Sequence, residues 1–434
     1  MAATINVGGT CTLVRAINAA NKDTRANGRC AKSSGADTIV LPRGSTQRLT
    51  SVNNDDNGLP VIRSDITIVG NNSTIRRAPT APRFRIFAVG DTGDLTLRRT
   101  TVSGGRGVGG GVYIYGGSVS LTNSTISGNN VERNANGGDV GNEYGVGGSL
   151  TVTNSTISNN FGTGIQLHDG RVSLTNSTVS NNIAGCGVFA DVLTVIDSTI
   201  SGNGGCGLGA GLGSNPSASL TVNRSTISGN GGAGVAVFGS FSATLLAKLT
   251  NTTISGNGTW GVIANGGTNV RLTNTTVTGN GTSGFIGAGV NINQGTVTLT
   301  RTLISGNTNP RADGAEVYNR GGSDSVTAAS FNVFGHSGLT NDQAFENFTP
   351  GPTDITATSN GNDPTALAEI LDTGLANNGG PTRTHALVFG SPAIDTVTDG
   401  TCPPPAKDQR GVRRPQDGNN DGAAICDTGS FERR

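Results

Sequence analysis

Apolar residues recur along the chain in a fixed pattern. The motif Asn-Ser-Thr-Ile-Ser-Gly-Asn that begins at Asn123 returns with small changes about every 25 residues. Apolar pairs at alternate positions precede the isoleucine or valine of each copy, as Val119 and Leu121 precede Ile126. Alternation of this kind predicts β-strands. The apolar anchors of the copies are Val102, Ile126, Ile157, Val179, Ile200, Ile227, Ile254, Val277 and Ile304.

Two polar positions in each copy predict corners between strands. The rhythm breaks between the apolar pair and the anchor, usually at an Asn such as Asn154, and a second Asn follows the anchor, as Asn129 follows Ile126. Asn and Gly tolerate left-handed backbone angles, and stacked Asn side chains can bond from turn to turn. A third apolar pair, such as Ile165 and Leu167, completes the repeat. We therefore predict an all-β, right-handed parallel β-helix (a solenoid) of about ten turns, with the hand taken from the general crossover preference.

The ends of such a solenoid expose apolar core and unpaired strand edges, so both ends need caps. We expect residues 1–60 to form the N-terminal cap and first strands, including a short helix that Thr12 caps. The β-helix repeats then span 61–319, and 320–434, which is rich in Pro, Gly, Asn and Asp, forms an irregular C-terminal cap. An incompletely covered end would permit end-to-end self-association.

Composition narrows the range of functions. Only 14% of the 434 residues are charged and 4% aromatic, whereas glycine contributes 69, which suits a thin apolar interior. The net charge of +1 gives no case for nucleic acid, and no apolar run is long enough for membrane insertion. We read Met1, the single methionine, as the start of a sequence from which a signal peptide has been removed.

The cysteines predict an oxidising compartment. The chain has 6, in local couples: Cys11 with Cys30, Cys186 with Cys206, and Cys402 with Cys426. The even count favours disulfide bonds and an extracellular or cell-surface location, although spacing alone does not fix their connectivity.

One loop near the C-terminus has the spacing of a calcium site. Asp417, Asn419 and Asp421 supply oxygen at alternate positions before a Gly, and Asp427 follows Cys426. The Glu that usually completes a calcium loop is absent, so we expect at most a structural calcium ion, against the alternative of a solvated turn.

A strip of outward-facing side chains on the third strand is the candidate binding surface. Aromatic faces beside amide and carboxylate groups suit sugar rings, which predicts contact with a polysaccharide or a cell-surface glycan. Surface aromatics on strands are the alternative explanation. The strip consists of Tyr113, Tyr115, Gln166, His168, Phe189 and Asp191.

The strip could instead be catalytic. A polysaccharide lyase needs a base and a group that neutralises the substrate acid, roles available to His168, Tyr144, Arg171 and Glu143. A glycoside hydrolase needs two carboxylates, for which Asp139, Glu143, Asp169 and Asp191 are the candidates. The scarcity of charge along the repeats weighs against both, so catalysis is uncertain and not the favoured interpretation.

Both ends of the chain resemble a known family. The start, Cys11-Thr-Leu-Val-Arg-Ala-Ile17, is similar to a Cys-Ser-Leu-Arg-Glu-Ala type segment, with Val14 and Arg15 in place of the usual Arg-Glu. Four C-terminal motifs resemble those of bacterial choice-of-anchor Q surface proteins, and the repeats resemble a pectate-lyase-like β-helix. No anchor motif follows Phe431-Glu-Arg-Arg, which leaves attachment open. The four motifs are Asn378–Leu387, Gly390–Asp395, Asp408–Gly411 and Gly429–Glu432.

This resemblance implies a secreted or surface-displayed bacterial protein and no established chemistry. We therefore expect an adhesin or structural rod that contacts glycans along one face. A polysaccharide lyase or glycoside hydrolase is the main alternative, and ice binding by the stacked threonines is a remote one.

Overall fold

A computed structural model describes residues 3–23, 30–32, 35–131, 138–143, 145–211, 218–239, 244–284, 287–310, 313–321, 325–398, 402 and 404–434. The chain is a right-handed parallel β-helix of about 11 turns, which confirms the predicted fold class. It divides into two compact units, and the boundary between Leu193 and Thr194 falls within one strand. The two units are described separately below.

The first unit begins with a cap. Helix α1 (Leu13–Lys22) starts where Thr12 Oγ1 accepts the Arg15 N–H at 3.3 Å, and it buries Leu13, Ile17 and Ala20 as predicted. The strands of this unit are β1 Thr4–Asn6, β2 Asp37–Val40, β3 Thr46–Leu49, β4 Asp65–Arg77, β5 Phe87–Val89, β6 Asp94–Ser103, β7 Val112–Ile114, β8 Ser118–Thr122, β9 Thr125–Ser127, β10 Gly138–Gly141, β11 Ser149–Thr153, β12 Thr156–Ser158, β13 Thr163–Thr175 and β14 Thr178–Ser180. Strand β15 (Val188–Ile196) contains the boundary.

Equivalent apolar residues of successive turns lie in register inside the first unit. Val152 pairs with Leu121 on one side and with Leu174 on the other, and all three are buried. In the same way Ile157 pairs with Ile126 and with Val179. Burial of these rows removes apolar surface from water, which is the main stabilising contribution in a solenoid.

The second unit continues the same repeat. Its strands are β16 Thr199–Ser201, β17 Leu208–Gly211, β18 Ser219–Asn223, β19 Thr226–Ser228, β20 Val235–Phe238, β21 Leu245–Thr250, β22 Thr253–Ser255, β23 Val262–Asn265, β24 Thr268–Thr273, β25 Thr276–Thr278, β26 Val290–Ile292, β27 Thr296–Thr300, β28 Leu303–Ile304, β29 Val317–Asn319, β30 Ser325–Ser330, β31 Val333–Phe334, β32 Phe345–Glu346 and β33 Ile355–Thr356. Two short helices, α2 (Asn341–Ala344) and α3 (Leu367–Ile370), lie between and after the last strands.

The first predicted corner adopts the expected backbone. Asn123, Asn154 and Asn176 have φ of 50°, 50° and 47°, and Arg224 and Arg301 take the same conformation in the second unit. At the second corner the left-handed residue is the one before the Asn, for example Gly128 before Asn129. The Asn that follows therefore has another role.

That role is an inward-facing asparagine ladder. In the first unit Asn129 Nδ2 donates to Asn160 Oδ1 at 3.1 Å. In the second unit Asn230 Nδ2 donates to Asn257 Oδ1 at 2.9 Å, and each ladder side chain also bonds backbone groups of its neighbours. The last donor, Asn307 Nδ2, bonds Glu316 Oε2 at 2.6 Å, so a buried carboxylate ends the ladder. The predicted stacking of Asn side chains is confirmed.

A glycine precedes the third strand in most turns because the ladder leaves no room for a side chain. A Cβ on Gly234 would lie 2.7 Å from Asn257 Nδ2. Two described turns place an acid at this position, Asp139 in the first unit and Glu316 in the second, and both are fully buried.

The described residues of the C-terminal segment, 371–434, dock on the second unit along the short strands that carry the apolar anchors (β19, β22 and β25), which we call the second-strand row. Gln409 Nε2 donates to Thr226 Oγ1 at 3.0 Å, and Thr253 Oγ1 donates to Gln409 Oε1 at 2.7 Å. Ser430 N–H donates to Thr276 Oγ1 at 3.0 Å. The segment therefore covers the hydroxyl groups of successive turns and buries the apolar cluster that includes Leu303 and Phe431.

All cysteines are disulfide-bonded. Cys11 bonds Cys30 and Cys402 bonds Cys426, with Cα–Cα distances of 5.0 and 5.8 Å. Cys186 and Cys206 are also disulfide-bonded. Within the described residues, no helix has both the length and the apolar character needed to cross a membrane.

Candidate functional site

The tyrosine end of the predicted strip forms a groove in the first unit. Strand β7 presents Tyr113 between Ala88 and Gly141 of the neighbouring turns, which are small enough to leave its ring room. The Arg85 guanidinium carbon lies 4.4 Å from the Tyr113 ring centroid, so Tyr113 is only 8% exposed. Tyr115 lies 6.4 Å away, ring to ring, and is 57% exposed.

We call the cavity beside these rings the tyrosine groove. It has a volume of about 410 Å³ and carries two arginines and two carboxylates, so it can bond both acidic groups and hydroxyls. Burial, and then Glu143, raise the pKa of Tyr113, which keeps its phenol neutral. Its lining residues are Asp55, Asn57, Val61, Arg63, Arg85, Ala88, Val89, Gly90, Asp91, Tyr113 and Tyr115.

The rest of the predicted strip is less accessible. His168 is 1% exposed, its ring lies 5.6 Å from that of Phe189, and its Nε2 is 2.8 Å from Gln166 Nε2. Because the Gln amide donates there, His168 Nε2 accepts, as in a neutral imidazole. Burial lowers the pKa of His168, and Asp169 opposes that shift. Buried Asp191 accepts the Asp169 N–H at 3.0 Å. The strip is therefore exposed mainly at its tyrosine end.

The predicted catalytic residues do not line one cavity. Glu143 lines a cavity of about 490 Å³ with Asp56, Arg83, Arg85 and Arg106, next to the tyrosine groove. Neither His168 nor Arg171 lines that cavity or the groove. Arg171 lies in the part of strand β13 that carries the apolar pair Val172 and Leu174, where it pairs with Ser149 of strand β11. Tyr144 lies outside the described residues.

Of the hydrolase candidates, Asp139 has the most altered chemistry. Its Oδ2 accepts the Gly162 N–H at 3.0 Å, and its Oδ1 has no partner among the described residues. Burial raises the pKa of Asp139 to about 7, against the hydrogen bonds from Gly162 and Val131. Because Asp139 has no exposed surface, a substrate cannot reach it in this conformation.

The loop predicted to bind calcium, Asp417 to Gly422, is held by hydrogen bonds among its own residues. Asp417 Oδ1 accepts the Asp421 N–H at 3.1 Å, and Asn419 Nδ2 donates to Asp421 Oδ2 at 3.1 Å. Asp427 lies beside this loop, since its Oδ1 would be 3.5 Å from a Cβ on Gly418, and its oxygens accept the N–H groups of Asp395 and Arg433 at 2.8 and 2.6 Å. Among the described residues, no group of three or more His, Cys, Asp or Glu is arranged to hold a metal. Calcium binding stays a prediction, carried by Asp417, Asn419, Asp421 and Asp427.

Sequence reasoning missed the arginines. The near-zero net charge conceals a local excess in the first unit, and several of these side chains line its cavities. Their concentration in one short stretch of the sequence, residues 63–106, could have predicted a positively charged region. The residues are Arg63, Arg76, Arg77, Arg83, Arg85, Arg98, Arg99 and Arg106.

Comparison with known proteins concerns the fold. A family profile described as "Right handed beta helix region" matches residues 110–246. A search of curated protein sequences found no significant match.

Three solved structures are similar at 15% sequence identity each. The A-module of mannuronan C-5 epimerase AlgE6 from Azotobacter vinelandii has a TM-score of 0.49, with 80% of this chain and 93% of that chain covered. The A-module of AlgE4 from the same organism has a TM-score of 0.45, with coverages of 74% and 90%. Pectate lyase Pel9A has a TM-score of 0.39, with coverages of 92% and 89%. With the strand pairing above, the profile match supports a right-handed β-helix as the architecture of this chain.

Proposed function

We propose that this protein is an extracellular β-helix that binds a polysaccharide in the tyrosine groove and acts as an adhesin or structural rod without turnover. The observation that carries the proposal is the exposed Tyr115 ring beside an arginine-covered Tyr113 in a cavity of about 410 Å³. A cavity of that size is in the range of small-ligand sites.

The groove chemistry suits a sugar. The Tyr115 ring offers an apolar face to the C–H groups of a pyranose, while Arg63, Asn57 and Asp91 offer polar groups to its substituents. Tyr115 is held by backbone, since its N–H donates to the Val89 carbonyl at 2.7 Å. The strand residues Ala88, Val89 and Tyr113 give the groove a fixed wall, which limits the conformational entropy lost on binding.

Two further features support an extracellular role. Disulfide bonds persist in oxidising compartments, and all cysteines of this chain are paired in this way. The C-terminal motifs resemble those of bacterial choice-of-anchor Q surface proteins, which supports display at a cell surface.

Affinity gel electrophoresis with a panel of uronic-acid and neutral polysaccharides tests the proposal. We expect at least one polymer to retard the protein, and Tyr115→Ala to weaken that retardation roughly fivefold, because an aromatic contact contributes about 1 kcal/mol. Phe389→Ala is the matched control, since Phe389 is an exposed aromatic of the second unit and does not line the groove.

Equal weakening by both variants, or no retardation by any polymer, contradicts the proposal. The same panel tests catalysis through absorbance of unsaturated products and new reducing ends. Product formation that requires Glu143 or His168 would establish the lyase or hydrolase alternative instead.

A further inference from the structure

A different cavity of the first unit opens beside the second-strand row. It has a volume of about 600 Å³. Arg76 of strand β4, which pairs with Ser103 of strand β6, is one of its lining residues. None of the described lining residues is acidic. They are Arg76, Arg77, Pro79, Ser103, Gly104, Gly105, Arg106, Gly128, Asn129, Asn130, Asn159 and Phe161. We call this the arginine cavity.

Arg77 is the fixed part of the arginine cavity. It is 5% exposed, and its Nε donates to the Gly104 carbonyl at 2.8 Å. Its Nη1 donates to the carbonyls of Ala78 and Ala81 at 2.9 and 2.6 Å. Its Nη2 donates no hydrogen bond among the described residues. The guanidinium is thus immobilised by neutral acceptors while one N–H₂ group stays available to a ligand.

The arginine cavity holds no described carboxylate of its own, although Arg106 also lines the neighbouring cavity that contains Asp56 and Glu143. No described carboxylate forms an ion pair with Arg76, Arg77 or Arg106, whereas Arg85 pairs with Asp56 at 3.8 Å. Arg106 is close enough to Arg77 to lower its pKa, in addition to the larger effect of burial. A buried cation without a counter-ion is costly, so the cavity attracts an anion.

The backbone around the cavity is rigid. The Arg106 N–H donates to the Phe84 carbonyl at 2.8 Å, and Asn130 N–H donates to the Gly105 carbonyl at 2.9 Å. Phe161, 47% exposed, adds an apolar surface at the rim, held by its own N–H bond to the Asn129 carbonyl at 2.9 Å. An exposed ring beside the held guanidinium of Arg77 is suited to a sugar that carries a charged substituent.

We propose that the arginine cavity binds a tetrahedral oxyanion, a sulfate or phosphate ester, carried on a polysaccharide. The choice of a polysaccharide as carrier rests on the proposed function, whereas the choice of an oxyanion rests on the cavity alone.

The number of guanidinium groups favours an ester over a carboxylate. Arg76, Arg77 and Arg106 converge on one cavity, and a sulfate or phosphate ester presents three terminal oxygens where a carboxylate presents two. Ser103 belongs to a row of serines aligned by strand pairing with Ser127, Ser158 and Ser180. The half-buried members of this row, Ser103, Ser127 and Ser180, offer hydroxyl partners to the neighbouring sugars of a bound polymer.

Titration calorimetry of the full chain with sodium sulfate and with sodium phosphate, at low ionic strength, tests the oxyanion site directly. We expect saturable binding of at least one of these anions, weakened at least about tenfold by Arg106→Gln or Arg76→Gln, because each replacement removes a charged hydrogen bond to the anion. Arg271→Gln is the control, because Arg271 lies on an exposed strand position of the second unit. Tyr115→Ala should leave the binding of either anion unchanged. Absence of saturable binding of both anions, or equal loss with Arg271→Gln, overturns the proposal.

Polymers identify the source of the oxyanion. Retardation by dextran sulfate that Arg106→Gln relieves assigns a sulfated glycan, and retardation by polyphosphate alone assigns a phosphate polymer and removes the sugar carrier. If polygalacturonate binds as tightly as dextran sulfate, the preference for a tetrahedral group is wrong. Sulfate binding without retardation by any polysaccharide would contradict the proposed polysaccharide binding and still support the oxyanion site.

Discussion

Two carboxylates occupy positions that glycine fills in neighbouring turns. Asp139 and Glu316 are both fully buried, and burial raises the pKa of each to about 7. Glu316 is held by Asn307 and by the Gly306 N–H, whereas Asp139 keeps one oxygen without a described partner. Asp139 is therefore the less compensated of the two.

The replacement Asp139→Asn should change the pH dependence of stability. The folded-state pKa of Asp139, about 7, lies above the ordinary value of 3.8, so the unfolded chain releases this proton first. Its contribution to stability is fully present below about pH 4 and is lost as pH rises through about 7. Asn cannot ionise, so at pH 8 the variant should be the more stable, by up to about 4 kcal/mol.

Urea unfolding followed by circular dichroism at pH 4 and pH 8 measures this difference. Asp363→Asn is the control, because Asp363 is exposed. A variant whose stability falls with pH as steeply as that of the original protein contradicts the assignment to Asp139.

At the scale of the element, the asparagine ladder fixes how one turn meets the next. Asn230 accepts the Asn203 N–H at 3.1 Å and donates to the Ile200 carbonyl at 3.2 Å, while its Nδ2 also bonds Asn257. All of these groups are buried, so no water replaces a lost partner.

Asn230→Ala should therefore destabilise the second unit by about 2–4 kcal/mol, because several buried polar groups lose their partners at once. Thr221→Ala, at an exposed position of strand β18, should lower the free energy of unfolding by less than about 1 kcal/mol. The fluorescence of Trp260, the single tryptophan, reports unfolding of this unit. Comparable losses for both variants would mean that the ladder contributes nothing beyond strand propensity.

Periodicity was sufficient to predict the elements. The apolar pairs, the anchors and the corner at positions such as Asn154 follow from backbone geometry that every turn repeats, so a single pattern specifies them all. The pattern did not decide whether the Gly or the following Asn is left-handed at the second corner, because both tolerate that conformation and only the ladder distinguishes their roles.

The candidate site was less predictable for a physical reason. Which outward side chains are exposed depends on what lies over them, and that information is not local. Arg85 covers Tyr113, and His168 is buried against Phe189. The arginine cavity joins residues from Arg76 to Phe161, which the sequence separates and the turns bring together.

At the scale of the whole molecule, equivalent faces of the repeat are used differently by the two units. In the second unit the C-terminal segment covers the hydroxyls of the anchor strands, through side chains such as Gln409. In the first unit the matching row is half-buried, as at Thr125 and Thr178, and the arginine cavity opens beside it.

Gln409→Ala should release the C-terminal segment. The side chain bonds Thr226, Thr253 and Thr382 and has no exposed surface, so its loss should cost the docked state about 2 kcal/mol. That cost raises the population of the undocked segment roughly thirtyfold. Limited trypsin digestion should then cleave near Lys407 and Arg413 correspondingly faster, while fragments of the first unit keep their original rate of appearance.

Gln416→Ala is the control for this experiment, since within the described residues the Gln416 side chain bonds only the adjacent Pro415 carbonyl, at 2.7 Å. Unchanged cleavage of the Gln409 variant would show that the apolar cluster around Leu303 and Phe431 holds the segment without these polar contacts.

The side-chain to side-chain bonds of the ladder in the second unit have a direction: each Asn donates to the next ladder residue toward the C-terminus, and Glu316 accepts the last of these bonds. A duplicated turn inserted before Glu316 would meet a donor on one side and an acceptor on the other, as its neighbours do. The number of turns can therefore increase or decrease by whole repeats without a new type of contact between turns, and Glu316 alone terminates the ladder.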